Sequence, residues 1–337
     1  MSSDMKKVLL IVVLVLVVVG AGVLFLPSDI RDELPPVIEG SLPGGGKERD
    51  CKGMRLSPGD DLAAVIETER EEGLTLCLAA GTYEVLNDID LQDGDRIIGA
   101  GMDETFLEGT GAKIVLDAQG ADDVLLYGLD ISGGRGRVVC KPMCGSGFRG
   151  GLNNRVESVR LHDNENHGIG GSERGLVVID SVLDNNGSRG FLGCCAGGIK
   201  GGSGFTIRNS EIYSNTGNGL WCDSGCAGGF EVYDSEIYDN SRSGIRYEVS
   251  DDGAIIEGNR IYGNNTSDPP GGHGGIGIIA SANARIVGNF FDDNQSAGIV
   301  INDTPRGNSH DIVVEDNDLN GDDLEGCGAS VACEANR

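Results

Sequence analysis

A repeat of about 26 residues, a column of asparagines at one repeat position and a glycine-rich, aromatic-poor composition together predict an all-β fold. The expected architecture is a single-stranded right-handed parallel β-helix of about 9–10 rungs with an N-terminal capping helix, preceded by one transmembrane helix. The chain has 337 residues, of which 56 are glycine, 39% are hydrophobic and only 5% are aromatic. One globular core of that size carries more aromatic bulk, whereas a stack of tight turns over small apolar rungs needs little.

Taken in order, residues 1–7 form a short cytoplasmic head containing Lys6 and Lys7, and residues 8–26 follow without a charge. Nineteen apolar or glycine residues at about 1.5 Å each nearly span a hydrocarbon core of about 30 Å. Lysines before the span and Asp29, Asp32 and Glu33 after it put the N-terminus in the cytoplasm and the remainder outside. The run is long and no A-x-A site closes it, which favours an uncleaved single-pass anchor over a cleaved signal peptide. Residues 27–50, with Pro27, Pro35, Pro36, Pro43 and three consecutive glycines, read as a flexible linker to a domain over 51–337. Helical spacing from Leu62 to Glu71, with Asp60 and Asp61 as caps, predicts the capping helix. Short strands are expected around Leu74–Leu78, Tyr83–Val85 and Arg96–Ile98.

The repeat itself is clearest in FTIRNSEIYSNTGNGLW from Phe205 and FEVYDSEIYDNSRSGIRY from Phe230. Anchored on Leu161, Leu183, Ile212, Ile237, Ile261, Phe291 and Leu319, successive copies lie 22, 29, 25, 24, 30 and 28 residues apart. Pairs such as Phe205/Ile207 have period two, so each copy contributes short strands with one buried face. Three residues after the anchor stands Asn164, Asn186, Asn215, Asn240, Asn264 or Asn294, which predicts a ladder of side-chain amides satisfying the turn backbone. Ser181, Ser210, Ser235, Asn259, Asn289 and Asn317 form a second column two residues before it. A glycine and an apolar residue follow, as in Gly168-Ile169, Gly190-Phe191, Gly219-Leu220 and Gly244-Ile245, where glycine is expected to permit the turn into a third strand.

These columns, with Leu76–Glu84 (LCLAAGTYE) and Ile98-Gly99-Ala100-Gly101, resemble the pectin-lyase-like superfamily over about residues 56–325. The resemblance implies the fold and a site on the sheet built after the Gly-apolar pairs, but one fold hosts many activities. Alternation on that sheet puts Leu220, Cys222, Ile245, Tyr247, Ile299 and Ile301 inside, and Trp221, Asp223, Arg246, Glu248, Val300 and Asn302 outside. The only tryptophan is thus expected either to be exposed as a sugar platform or to be covered by packing under the Cys222/Cys226 segment. Asp223, Glu248 and Arg246 are the expected catalytic residues, and Trp221, Asn302 and His273 the expected substrate contacts. Gly272-His273-Gly274 and Asp251-Asp252 resemble elements of polygalacturonase-type hydrolases, although Asp251-Asp252 follows the sheet strand instead of preceding it. Tyr213, Tyr238 and Tyr262 occupy one column and are expected to stack outside the coil.

The formal charge of −27, from 26 basic and 53 acidic residues, argues against a nucleic-acid partner. A polysaccharide or cell-surface glycan is the expected partner, bound or processed by lyase, hydrolase or epimerase chemistry, with Ca²⁺ as the candidate cofactor of a lyase. The alternative is a structural or adhesive surface solenoid without catalysis. Ten cysteines, Cys51, Cys77, Cys140, Cys144, Cys194, Cys195, Cys222, Cys226, Cys327 and Cys333, fit an oxidising compartment. Bridges Cys51–Cys77 and Cys327–Cys333 at the two ends, and others between neighbouring rungs, are expected, with connectivity left open.

Overall fold

Stacked identical positions decide this architecture, because each rung places its apolar residues directly above those of the rung before. The computed structural model describes residues 51–70, 73–136, 144–171, 173–189, 196–267 and 274–337. Among these, short strands form three parallel sheets of 12, nine and ten strands, a β-solenoid of about ten turns. Sheet 1 runs from Met54–Leu56 to Val331–Glu334, sheet 2 from Gly81–Val85 to Phe290–Asp292, and sheet 3 from Ile89–Asp90 to Leu324–Glu325. The anchors pair in register, Leu183 with Ile212, Ile212 with Ile237, Ile237 with Ile261 and Ile261 with Phe291. All five are fully buried, each stabilising the coil by about 1.5–3 kcal/mol on transfer from water. Neighbouring strands lie about 4.8 Å apart, so branched aliphatic side chains fill the interior and few aromatics are needed.

The bends between strands determine which polar residues the repeat requires. Asp163, Asn185, Ser214, Asp239 and Asp293 stand at the bend from sheet 2 to sheet 3 with φ between 51° and 54°, a left-handed region that Asn and Asp tolerate best. The following Asn turns inward and uses both amide hydrogens. Asn215 Nδ2 donates to Asn240 Oδ1 at 3.0 Å and to the Leu183 carbonyl at 2.9 Å, and Asn240 repeats this with Asn264 and Ile212. The ladder runs from Asn164 through Asn186, Asn215, Asn240 and Asn264 to Asn294, and Asp322 ends it as a pure acceptor for Asn294. A second ladder at the bend from sheet 1 to sheet 2 runs from Ser181 to Asn336.

The glycine after the ladder serves a different purpose from the one expected. Gly219 and Gly244 have ordinary φ values, so no left-handed turn demands them. A Cβ on Gly219 would lie 2.6 Å from the Gly244 carbonyl oxygen and 2.9 Å from Asn240 Nδ2. Glycine is required there because the ladder and the next rung occupy the space a side chain needs.

Helix α1, Leu62–Thr68, begins at Asp61, whose Oδ1 accepts the Ala64 amide at 3.0 Å, and buries Leu62 and Ile66 in the first rung's core. It stops three residues short of the expected end, with Glu69 as its C-cap. Disulfide Cys51–Cys77 joins the start of the domain to strand Thr75–Leu78, and Cys327–Cys333 ties down the last strand, Val331–Glu334. The head, the apolar segment over 8–26 and the linker over 27–50 lie outside the described residues. Among the described residues no helix is long and apolar enough to cross a membrane.

Candidate functional site

The site is built on three consecutive strands of sheet 3, Gly197–Ser203, Asn218–Ala227 and Ile245–Glu248. Register pairs Lys200 with Trp221 and Trp221 with Arg246, giving one outward column, and pairs Asp223 with Glu248 in the next. Leu220, Cys222, Ile245 and Tyr247 lie inside at 0% exposure, as alternation requires. Trp221, however, is only 5% exposed, which corrects the expectation of an open sugar platform. Its outward face is covered from both neighbouring rungs: Lys200 Nζ lies 3.4 Å from the ring centroid and Arg246 Cζ lies 5.6 Å away. The indole Nε1 donates to Glu248 Oε2 at 3.1 Å.

A local bulge aims the second column. Between register points Gly201↔Cys222 and Ser203↔Ala227 one strand takes five residue steps against two on its neighbour. The extra residues form a loop closed by Cys222–Cys226, a bridge within one rung and not between rungs as expected. That loop carries Asp223, which accepts Ser224 Oγ at 2.8 Å and faces Lys200 Nζ at 3.2 Å. Glu248 Oε2 also accepts Arg246 Nε at 2.9 Å, and its Oε1 faces Arg306 Nη1 at 3.4 Å. Arg306 Nη2 reaches Ser224 Oγ at 3.2 Å, closing the network.

Burial sets the electrostatics. It pulls the Lys200 ammonium below its usual pKa, outweighing the nearby Asp223 and Glu248 carboxylates, and the Arg246 charge lowers it further. Burial likewise lowers Arg242, which also feels the Arg246 charge and, in the opposite sense, that of Glu248. His167, at the start of strand His167–Gly170 two rungs before Trp221, is pushed down to about 3 by burial and then by the Lys200 charge, so it is a neutral imidazole. Its two ring nitrogens and both amide atoms of Asn218 have no hydrogen-bond partner among the described residues.

Asp223, Glu248, Arg246 and Trp221 are therefore brought together, whereas Asn302 is not. Asn302 stands in the Glu248 column two rungs further on, with Ile279 between them. Val300, expected outside, is only 2% exposed. His273, Cys140, Cys194 and Cys195 lie outside the described residues, while Cys144 is buried. Asp252 serves the backbone, accepting the Gly228 amide at 3.0 Å. Among the described residues no group of three or more His, Cys, Asp or Glu is placed to hold a metal ion.

Lys200 and Arg306 were not singled out in the sequence. The rung after Asn186 contains two Gly-apolar pairs, and the one in register with Gly168-Ile169 is Gly198-Ile199, not Gly190-Phe191. Choosing the earlier pair hides Lys200. Arg306 arrives from a loop three rungs away, which no local pattern signals.

Tyr213, Tyr238 and Tyr262 do stack outside sheet 2, with centroids 4.8 Å apart and planes within 4° of parallel. Their inner faces are occupied by one another, so the stack leaves edges rather than faces for a ligand. Above it Arg160 makes two bonds of 2.9 Å to the buried Asp184, and His162 bridges Asp130 at 2.8 Å and Asp163 at 2.7 Å. These groups satisfy one another and hold the sheet's flank together.

A family model described as a right-handed beta helix region matches residues 191–336. Among solved structures, pectate lyase Pel9A is 12% identical, with a TM-score of 0.54 over 85% of this chain and 80% of that one. Tailspike protein 2 of Escherichia coli O157:H7 bacteriophage CAB120 is 13% identical, with a TM-score of 0.54 over 84% of this chain and 42% of that one. The DFA-IIIase of Arthrobacter chlorophenolicus A6, solved in complex with GF2, is 12% identical, with a TM-score of 0.51 over 79% of each chain. These likenesses establish the fold alone. No curated protein matches the sequence.

Proposed function

We propose that sheet 3 is a face for binding and processing an acidic polysaccharide, with Lys200 as the group that takes a proton from the sugar. One observation carries this reading. Four basic side chains, Lys200, Arg242, Arg246 and Arg306, gather around two carboxylates, Asp223 and Glu248, on a chain whose formal charge is −27. A local excess of cations on an acidic protein concentrates anionic ligands where the rest of the surface repels them. Depression of the Lys200 pKa by burial raises its neutral fraction, and a neutral amine is a base.

The chemistry that fits is removal of the proton on the carbon next to a sugar carboxylate. Lys200 Nζ takes that proton while a guanidinium stabilises the charge developing on the carboxylate. Breaking the bond between the next carbon and its glycosidic oxygen, which leaves with a proton from water, gives an unsaturated end. A proton delivered from water to the opposite face instead gives an epimer, and in both cases Lys200 returns its proton to solvent. Hydrolysis by a carboxylate pair fits less well, because Asp223 and Glu248 are each bonded to cations. For the same reason the donor set suits an anion better than Ca²⁺. Binding without turnover is the second reading, favoured by the saturation of both carboxylates. The apolar segment over 8–26 would anchor this face outside the membrane, in keeping with the disulfides found among the described residues.

The test exposes the full chain to polyuronates and neutral polysaccharides, with and without Ca²⁺, scoring binding, reducing ends, unsaturated ends and sugar configuration. Unsaturated ends or epimerised sugar, lost in Lys200→Met, support the catalytic reading. Retention on polyuronate without product supports the binding reading. Equal affinity for neutral polymers, or none for any, overturns both.

A further inference from the structure

Among the described residues Glu248 is held by three donors, and one of them differs from the other two. Arg246 and Trp221 both act on Oε2 from within the site, and both are nearly buried. Arg306 acts on Oε1 at 3.4 Å, its side chain is 53% exposed, and it comes from 58 residues further along the chain. Its loop follows strand Ile299–Asn302, three rungs beyond the strand that carries Ser224.

That loop is built to hold a tip over the earlier rungs. Thr304 and Gly307 exchange backbone hydrogen bonds of 2.9 and 3.0 Å, placing Pro305 and Arg306 at the tip of a tight hairpin. Asp303 Oδ1 accepts the Ser309 amide at 2.7 Å, and Ser309 Oγ donates to the Asn302 carbonyl at 3.0 Å, which pins the base. Beside Arg306 lies a recess of about 450 Å³ bordered by Val249, Asp251, Ala280, Asn308 and His310. The side chain can therefore turn away from Glu248 while the hairpin stays in place.

Resting on the reading of sheet 3 as an acidic-glycan site, we propose that Arg306 is an anion-responsive clasp. Without ligand it holds Glu248 Oε1 and Ser224. A carboxylate or sulfate on the incoming glycan draws the guanidinium to itself and leaves Oε1 free to accept a hydrogen bond from a sugar hydroxyl. The exchange is energetically easy: the contact is long, the guanidinium is half-exposed, and Arg pairs with a planar carboxylate through two parallel bonds. A neutral sugar offers nothing for which Arg306 would leave Glu248, so the clasp also selects for charge. Arg306 is then a ligand-contacting specificity residue, and Lys200 and Arg246 remain the fixed part of the site.

Trp221, the only tryptophan of the chain, reports the exchange because its Nε1 shares Glu248 with Arg306. The full chain is titrated with sodium glucuronate and with glucose at constant ionic strength while Trp221 emission is followed. The wild-type protein is expected to respond saturably to glucuronate and not to glucose. Arg306→Ala should begin at the ligand-saturated emission and respond to neither. Arg306→Lys, a point charge without the planar fork, should respond with about tenfold weaker affinity. A wild-type response in Arg306→Ala, an equal response to glucose, or silence of the wild-type protein each overturns the clasp. Silence in a protein that still binds polyuronate removes the clasp and leaves the proposed function standing. Silence in a protein that binds no polysaccharide removes both.

Discussion

The Lys200 ammonium lies 3.4 Å from the centroid of the Trp221 ring, and the two residues are register partners on adjacent rungs. The ring presents its negative face to the cation, which offsets part of the cost of holding an ammonium at 12% exposure. Burial still prevails over Asp223 and brings the Lys200 pKa below 10.5. Trp221 emission should therefore change as pH rises, with a midpoint below 10.5, and the step should vanish in Lys200→Met. A wild-type midpoint at or above 10.5 would mean that the Asp223 pairing outweighs burial.

The Cys222–Cys226 bridge closes the bulge that carries Asp223 and Ser224. Closing so short a loop restricts the unfolded chain by only about 2 kcal/mol, so its main effect is on the site. Replacing both cysteines with serine is expected to lower the melting temperature slightly and to weaken polyuronate binding about tenfold or more, as Asp223 loses its alignment with Lys200. Binding measured beside a melting curve checks this. A large drop in melting temperature with unchanged binding would make the bridge structural only.

Much of this arrangement is legible in the sequence because the coil repeats. Asn215, Asn240 and Asn264 mark one column since each must donate to the rung on either side, a constraint that every rung renews. Alternation likewise identifies the side of the sheet on which Trp221 lies. It does not show that Trp221 is covered, because Lys200 and Arg246 come from other rungs and long side chains fold over their neighbours. Lys200 is hidden by an ambiguity of register in a rung of irregular length, and Arg306 by a hairpin that crosses three rungs. The repeat thus reports what recurs, and the site is made of what does not.

His162 on sheet 2 gives stability a pH dependence. Burial alone would lower its pKa, but hydrogen bonds to Asp130 and Asp163 prevail and raise it above 6.5. The folded state thus favours the imidazolium. Its stabilisation is fully present below pH 6.5 and is lost as pH rises through the folded value. His162→Gln should cost about 2 kcal/mol at pH 5.5, where two charge-assisted bonds are removed, and less at pH 9. Urea unfolding at the two pH values measures the difference. An equal loss at both would show that the imidazole contributes by packing alone.

Asp322 ends the asparagine ladder where the pattern calls for another amide. Its Oδ2 accepts Asn294 Nδ2 at 2.7 Å and the Asn294 amide at 3.2 Å. Burial raises its pKa above 3.8 despite those bonds, and the charges of Asp292 and Asp293 add to the rise. A raised folded pKa means that the carboxyl is harder to ionise in the native state than in the unfolded chain. Ionisation therefore costs stability at neutral pH, and the cost disappears as pH falls through the folded pKa towards 3.8. Asp322→Asn keeps the acceptor and removes the charge beside Asp292 and Asp293. The substitution is expected to raise stability by about 1 kcal/mol at pH 7 and to change it little at pH 3.5, as read from paired melting curves. A loss at pH 7 would show instead that the charged acceptor strengthens the last rung of the ladder more than repulsion and burial weaken it.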